Sequence, residues 1–288
     1  MSSSTSDFDR PIIFVGTHRS GTTWMGDEFS RHPDLAYAVE PRHIWSWSHQ
    51  SLGDDRLTSE HATPKVRQHI RAAFEQLVKK DGKKRLVEKT PSNCLRLPFV
   101  RAVYPEAKIV LVVRDGRSVI ASTEDIQQQG VQTKLIFRRA LQTPLPEWPA
   151  QMGRLFSAVH NKVTGKPMKF WGPKPPGWKD WVKHDEPEVI RAKQWAATVL
   201  CAYRDAKEMG DVLIFRFEDM MQRPAETMRE IAEFCELADA DGVIEHVAAT
   251  ADPSRNAKRR AEKTNLDHVR SILEPALNEL GYEWDETL

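Results

Sequence analysis

The stretch Pro11-Ile12-Ile13-Phe14-Val15-Gly16-Thr17-His18-Arg19-Ser20-Gly21-Thr22-Thr23-Trp24 decides the fold. Its first five residues are apolar and largely β-branched and stop at Gly16, the pattern of a short buried strand. A helix is predicted over residues 21–31, ended by His32-Pro33-Asp34. A strand that runs through a glycine-containing turn into a helix exposes backbone N–H groups at the positive end of that helix. Hydroxyls from Thr22 and Thr23 add donors, so the turn is suited to a phosphate.

The turn has the frame G-x-x-x-x-G-K-[ST] with one substitution. Gly16 and Gly21 are correctly spaced and Thr23 holds the hydroxyl position, but Thr22 stands where nucleoside triphosphatases carry lysine. That lysine reaches the β- and γ-phosphates, so its absence weakens an ATP or GTP reading. The basic group is Arg19, inside the turn. This arrangement suits a donor with one 5′-phosphate that carries a different transferable group.

Outward from this turn, strands alternate with helices. Leu35–Val39 reads as a strand, and residues 64–78 as a helix with Val66, Ile70, Phe74, Leu77 and Val78 on one face. Lys83-Lys84-Arg85 reads as a solvated turn. Residues 86–88 then form a strand and 93–103 a helix. Lys108–Val113 is an uninterrupted apolar strand after its first residue, and a helix follows over about 117–128. A long helix over 190–208, a strand over 211–217 and two helices carrying Met228 to Cys235 and Val269 to Leu280 complete the pattern. Such alternation predicts a P-loop-like, three-layer α/β/α fold with a mostly parallel central sheet. Residues 1–10 read as a mobile tail and residues 11–288 as a single domain. That domain carries a Pro- and Trp-rich insertion at about 143–187, either a packed cover for the core or the wall of an acceptor pocket.

Composition narrows the class. The chain has 288 residues with 42 Lys+Arg against 41 Asp+Glu, a net charge of +1 that argues against a nucleic-acid partner. No apolar run approaches the roughly 20 residues of a transmembrane segment. The Ser-rich, acidic start lacks the apolar core of a secretory signal. Cys94, Cys201 and Cys235 form neither a metal pattern nor a disulfide framework, so a reducing, cytoplasmic setting without metal is expected.

The run Arg19-Ser20-Gly21-Thr22-Thr23-Trp24 resembles the 5′-phosphosulfate loop of sulfotransferases that use 3′-phosphoadenosine 5′-phosphosulfate (PAPS). A second signature of that family, an arginine ending a strand with serine eight residues on, is matched by Arg114 and Ser122. Glu88-Lys89-Thr90-Pro91 and Phe215-Arg216-Phe217-Glu218-Asp219 are lesser matches. The resemblance runs from about residue 11 to 237 and is nearest to the bacterial and carbohydrate or tyrosyl-protein branch. It implies transfer of a sulfuryl group from PAPS to a hydroxyl or amine of a small-molecule, glycan or lipid acceptor, releasing PAP without a metal.

By the same resemblance, Arg19 contacts the 5′-phosphate and bridging oxygen, Ser20, Gly21, Thr22 and Thr23 hold the 5′-phosphate, and Arg114 and Ser122 hold the 3′-phosphate. Trp24 lines the adenine site or packs in the core. Arg255 is the C-terminal basic residue selected for the 3′-phosphate; Lys258, Arg259, Arg260 and Lys263 read as a solvated face. Glu40, in its Glu-Pro context, is the expected general base, with His43 and His18 as rivals, and Lys89 assists the transferring group. For Arg114 the competing reading is an ion pair with Asp115 or another carboxylate, and for Lys89 a pairing with Glu88. Two other functions remain open at this point: a P-loop kinase or NTPase, with Asp115 or Asp219 as metal-binding acids, and a non-catalytic nucleotide-binding module.

Overall fold

The computed structural model describes residue 8 and residues 10–129, 170–252 and 266–284, with only the helix backbone described over 124–129. Most of the N-terminal tail, the first part of the Pro- and Trp-rich insertion, and Arg255 with its basic neighbours lie outside the described residues.

Five strands form the sheet: β1 (Ile12–Val15), β2 (Leu35–Val39), β3 (Arg85–Lys89), β4 (Lys108–Val113) and β5 (Val212–Arg216). Their order is β2-β3-β1-β4-β5 and every pairing is parallel. The expected "mostly parallel" sheet is thus parallel throughout its described strands. Side chains alternate between faces along each strand. Ile13, Val15, Leu86, Ile109 and Leu111 enter one core cluster, while Ile12, Phe14, Val87, Val110 and Val112 enter the other. Both faces are covered, which is why β1 and β4 read as continuous apolar runs.

The first face carries α3 (Pro64–Lys80), α4 (Leu97–Val103), α5 (Gly116–Gln129), α7 (Pro187–Met209) and α11 (Arg270–Glu279). The second carries α1 (Thr22–Phe29), α8 (Phe217–Gln222), α9 (Pro224–Phe234) and α10 (Asp241–Thr250). The short helices α2 (Arg42–Trp45) and α6 (Trp178–His184) lie between these elements in the chain. The connection after β1 leads toward β2, whereas the one after β4 leads to the other side, to β5. The crevice between the C-terminal ends of β1 and β4 is therefore the topological switch point, where open α/β sheets bind ligands.

Two local expectations are corrected. Arg85 is not part of a solvated turn: it opens β3 and is buried, donating to the carbonyls of Arg10 (2.6 Å) and Cys235 (2.7 Å). These carbonyls satisfy a guanidinium that the flanking lysines made look exposed. The helix expected over 93–103 is split into a 3-10 turn, Pro91–Leu95, and α4. Pro98 has no N–H to continue a helical ladder back to residue 94, so it sits in the first turn of α4, and Arg96 between the two segments has non-helical backbone at φ −154°, ψ 35°.

Gly116 opens α5 where it meets α7. A Cβ there would lie 2.6 Å from the fully buried indole of Trp195. Gly116→Ala is expected to destabilise the fold by about 1–3 kcal/mol through overpacking, read as a lower denaturation midpoint with unchanged slope. An unchanged midpoint would show that α5 and α7 do not pack this closely.

Candidate active site

The turn after β1 is built by backbone geometry. Arg19 adopts a left-handed conformation (φ 67°) and Gly21 another (φ 93°). Arg19 lacks glycine's freedom, so this conformation costs free energy, on the order of 1–3 kcal/mol, and such outliers gather at functional sites. At Gly21 a Cβ would collide with the Phe217 ring at 2.3 Å, and at Gly16 with Ser20 Oγ at 2.4 Å and the Val112 carbonyl at 2.9 Å. Both glycines are therefore required by close approach, and Gly21 also by its left-handed backbone. Gly21 then caps α1, whose first residues are Thr22 and Thr23. The Ser20 hydroxyl donates to the Thr17 carbonyl at 2.7 Å and helps close the turn.

The second signature lies directly beside the first. Arg114 follows β4, is buried, and donates from Nη1 to the Arg19 carbonyl at 2.8 Å. Its guanidinium lies over the Phe217 ring, 4.5 Å from the centroid. Ser122, two turns into α5, accepts from Arg19 Nε at 2.9 Å. Helix α5 thus packs across the site, as a shared role for Arg114 and Ser122 demands. Asp115 pairs with Arg117, Nη2 to Oδ2 at 2.7 Å, so the described ion pair of this turn does not use Arg114.

The third component comes from the ends of β2 and β3. Val39 is paired in register with Lys89, so Glu40 emerges beside it, again with left-handed backbone (φ 50°). Its amide donates to the Lys89 carbonyl at 2.8 Å, and Lys89 Nζ donates to Glu40 Oε1 at 2.8 Å. The side chains are 3% and 12% exposed, so this is a nearly dry ion pair. Lys89 therefore pairs with Glu40, not with Glu88. Strand alternation sends Glu88 to the opposite face, where it accepts from Thr90 and from Asn93 Nδ2 (2.9 Å). Burial lifts the Glu88 carboxyl to about 7.

Residues from all three components line one cavity of about 350 Å³, while Ser20 and Ser122 are fully buried outside its lining; the volume is within the roughly 300–1,000 Å³ usual for ligand sites. Arg19, Gly21, Thr22, Thr23, Trp24 and Arg114 line one part, and His18, Glu40, Lys89, Pro91 and Trp171 another. Trp24 is half-buried and meets Phe217 edge-on at 6.5 Å, so it both packs and borders the cavity. His18 is buried against Trp171, with centroids 5.5 Å apart. Desolvation, then the nearby Arg19 and Arg42, lower its pKa to about 4, so the imidazole is neutral at neutral pH. His43 sits half-buried in α2 and does not line the cavity.

Sequence reasoning missed Phe217, which supports both Gly21 and Arg114 although its segment was singled out. It also missed the individual role of Trp171. Gln194 in α7 holds that segment by donating to the carbonyls of Trp171 (2.9 Å) and Pro173 (2.7 Å). Thr250 at the end of α10, with Ala251 and Asp252 after it, also lines the cavity. Among the described residues no cluster of His, Cys, Asp or Glu could hold a metal, and no helix is long and apolar enough to cross a membrane.

Protein-tyrosine sulfotransferase 1 of Homo sapiens is 34% identical over 125 residues, 40% of this chain and 34% of that one. The nodulation protein NoeE of Sinorhizobium fredii is 27% identical over 129 residues, 39% and 31% of the two chains. The chain thus spans about a third of the length of these curated relatives. Among solved structures, the sulfotransferase domain from the curacin biosynthetic pathway superposes with a TM-score of 0.60 at 13% identity, covering 96% of this chain and 99% of that domain. The sulfotransferase domain of the Synechococcus PCC 7002 olefin synthase gives 0.55 at 15% identity, covering 99% of each. Both likenesses concern the fold. The model of the sulfotransferase family matches residues 11–166, more than half of the chain, and that span takes in the turn at residues 16–21 and the Arg114–Ser122 segment. With that match the chain belongs to the sulfotransferase family.

Proposed function

We propose that the protein transfers a sulfuryl group from PAPS to an acceptor hydroxyl. The observation that carries this reading is the junction of the two signatures: Arg114 donates to the Arg19 backbone while Arg19 donates to Ser122. Arg19 and Arg114 line the same cavity, and Ser122, buried outside its lining, is bonded to Arg19; two signatures joined in this way suit the two phosphates of one adenosine bisphosphate. A kinase reading lacks the lysine at position 22. It also lacks a free acid at Asp115, which is held by Arg117.

Each residue then has a task. The backbone at Ser20 to Thr23 and the hydroxyls of Thr22 and Thr23 bind the 5′-phosphate at the N-terminus of α1. Arg19 balances charge that grows on the bridging oxygen as the sulfur–oxygen bond breaks, and Arg114 and Ser122 take the 3′-phosphate. Arg255, outside the described residues, is proposed to add to that second cradle. Glu40 accepts the acceptor's proton as the new oxygen–sulfur bond forms, and Lys89 holds the carboxylate in position through its 2.8 Å hydrogen bond. Preorganised charge of this kind is most effective in a site that excludes water. The Trp171, Pro91 and His18 side offers the acceptor wall, and the acceptor class is a small molecule, glycan or lipid. A cytoplasmic location fits the three reduced cysteines.

Three measurements test this reading. Calorimetry with PAP and no metal should show binding that Arg114→Ala weakens by about two orders of magnitude, as expected when charge-assisted bonds worth about 1.5–3 kcal/mol each are lost. No PAP binding, with ATP–Mg²⁺ bound instead, would contradict it. Glu40→Gln should keep PAP affinity while turnover of PAPS falls about 10²–10⁴-fold; full turnover would move the base elsewhere. Because burial depresses the His18 pKa, His18 favours the fold above its unfolded value near 6.5, and that contribution is lost as pH falls toward about 4. An NMR titration should place its midpoint near the lower value, and a midpoint above 6 would restore His18 as a rival base.

A further inference from the structure

We propose that Tyr282 and Glu218 are positioning residues for the 3′-phosphate cradle, acting through the backbone of the Arg114-Asp115 turn; this rests on the PAPS reading above. Glu218, at the start of α8, accepts the Asp115 amide through Oε1 at 3.2 Å. Its other oxygen accepts the Tyr282 hydroxyl at 2.8 Å. The backbone link that follows Arg114 is therefore held by a carboxylate, and that carboxylate is held by a residue beyond α11, 64 positions further along the chain.

Tyr282 is itself fixed. Its ring lies under the Arg216 guanidinium at 4.6 Å, and Arg216 Nη2 donates to the carbonyls of Leu280 (3.0 Å) and Gly281 (2.7 Å). Gly281 is left-handed at φ 75°, and a Cβ there would lie 2.5 Å from that Nη2. The chain can make this approach only with glycine. Burial and the adjoining Glu218 carboxylate raise the Tyr282 pKa, so its hydroxyl keeps its proton and remains a donor. On the other side of the turn, Arg117 grips Asp115 and lies 5.5 Å from the Trp284 ring centroid while donating to the Glu283 carbonyl at 3.2 Å. Residues 280–284 thus clasp the turn from both sides. Neither Glu218 nor Tyr282 lines the cavity, so both act on the ligand indirectly, through the turn that carries Arg114.

Calorimetry with PAP on the full chain, well below the melting temperature of every variant, tests this. Tyr282→Phe keeps the ring over Arg216 and loses the hydroxyl; PAP affinity should fall about tenfold. Glu218→Gln can still accept from Asp115 and bond Tyr282, and should stay within about twofold of the unmodified chain. In an Arg114→Ala background, Tyr282→Phe should add less than about a twofold change, because the residue it positions is gone. PAP affinity unchanged in Tyr282→Phe would overturn the proposal, as would an equal loss with and without Arg114. Absence of PAP binding by the unmodified chain would instead remove the donor reading, and this inference with it.

Discussion

The site depends on a pair of hydrogen bonds that cross between two loops. Arg114 Nη1 donates to the Arg19 carbonyl, and Arg19 Nε donates to Ser122 Oγ. The first bond helps hold a left-handed arginine in a turn that favours glycine. The second orients its guanidinium toward α5. Because β1 and β4 are neighbours and their connections diverge, both loops emerge side by side at the switch point. A parallel sheet in this order brings the two signature turns together through strand register alone.

Charge management follows from that placement. Arg19, Arg114 and Lys89 are cations around one small cavity, and unmatched they would repel one another in a poorly hydrated space. Glu40 neutralises Lys89, the Phe217 ring lies against Arg114, and His18 is kept uncharged. The remaining positive field points at the place where phosphate charge is expected. Two cavity-lining residues, Arg19 and Glu40, have left-handed backbones. Strain of this kind persists when surrounding structure over-determines it: Arg19 is held by Arg114 and Ser122, and Glu40 by both backbone and side chain of Lys89.

The buried strands could be read directly, because a sheet covered on both faces shows as runs such as Ile12 to Val15 and Ile109 to Val113. The paired anion motifs could be read because their spacing is local. What could not be read depends on distant partners. Arg85 looked solvated beside two lysines, yet the Arg10 and Cys235 carbonyls receive it. Lys89 had Glu88 as its sequence neighbour, but strand alternation turns the two to opposite faces and the register of β2 supplies Glu40. Phe217 showed only as an apolar residue ending a strand, whereas its ring fills the space that Gly21 leaves empty. Tyr282 and Gly281 carry no local signal, since their partners lie on β5 and α8.

The central claim is that one nucleotide spans both cradles. A crystal structure with PAP tests it most directly. The account predicts the 5′-phosphate on the backbone of residues 20–23 and the 3′-phosphate against Arg114 and Ser122, with Glu40 facing the remaining space. A nucleotide seated outside the crevice between β1 and β4, or one touching a single cradle with its other phosphate in solvent, would contradict it.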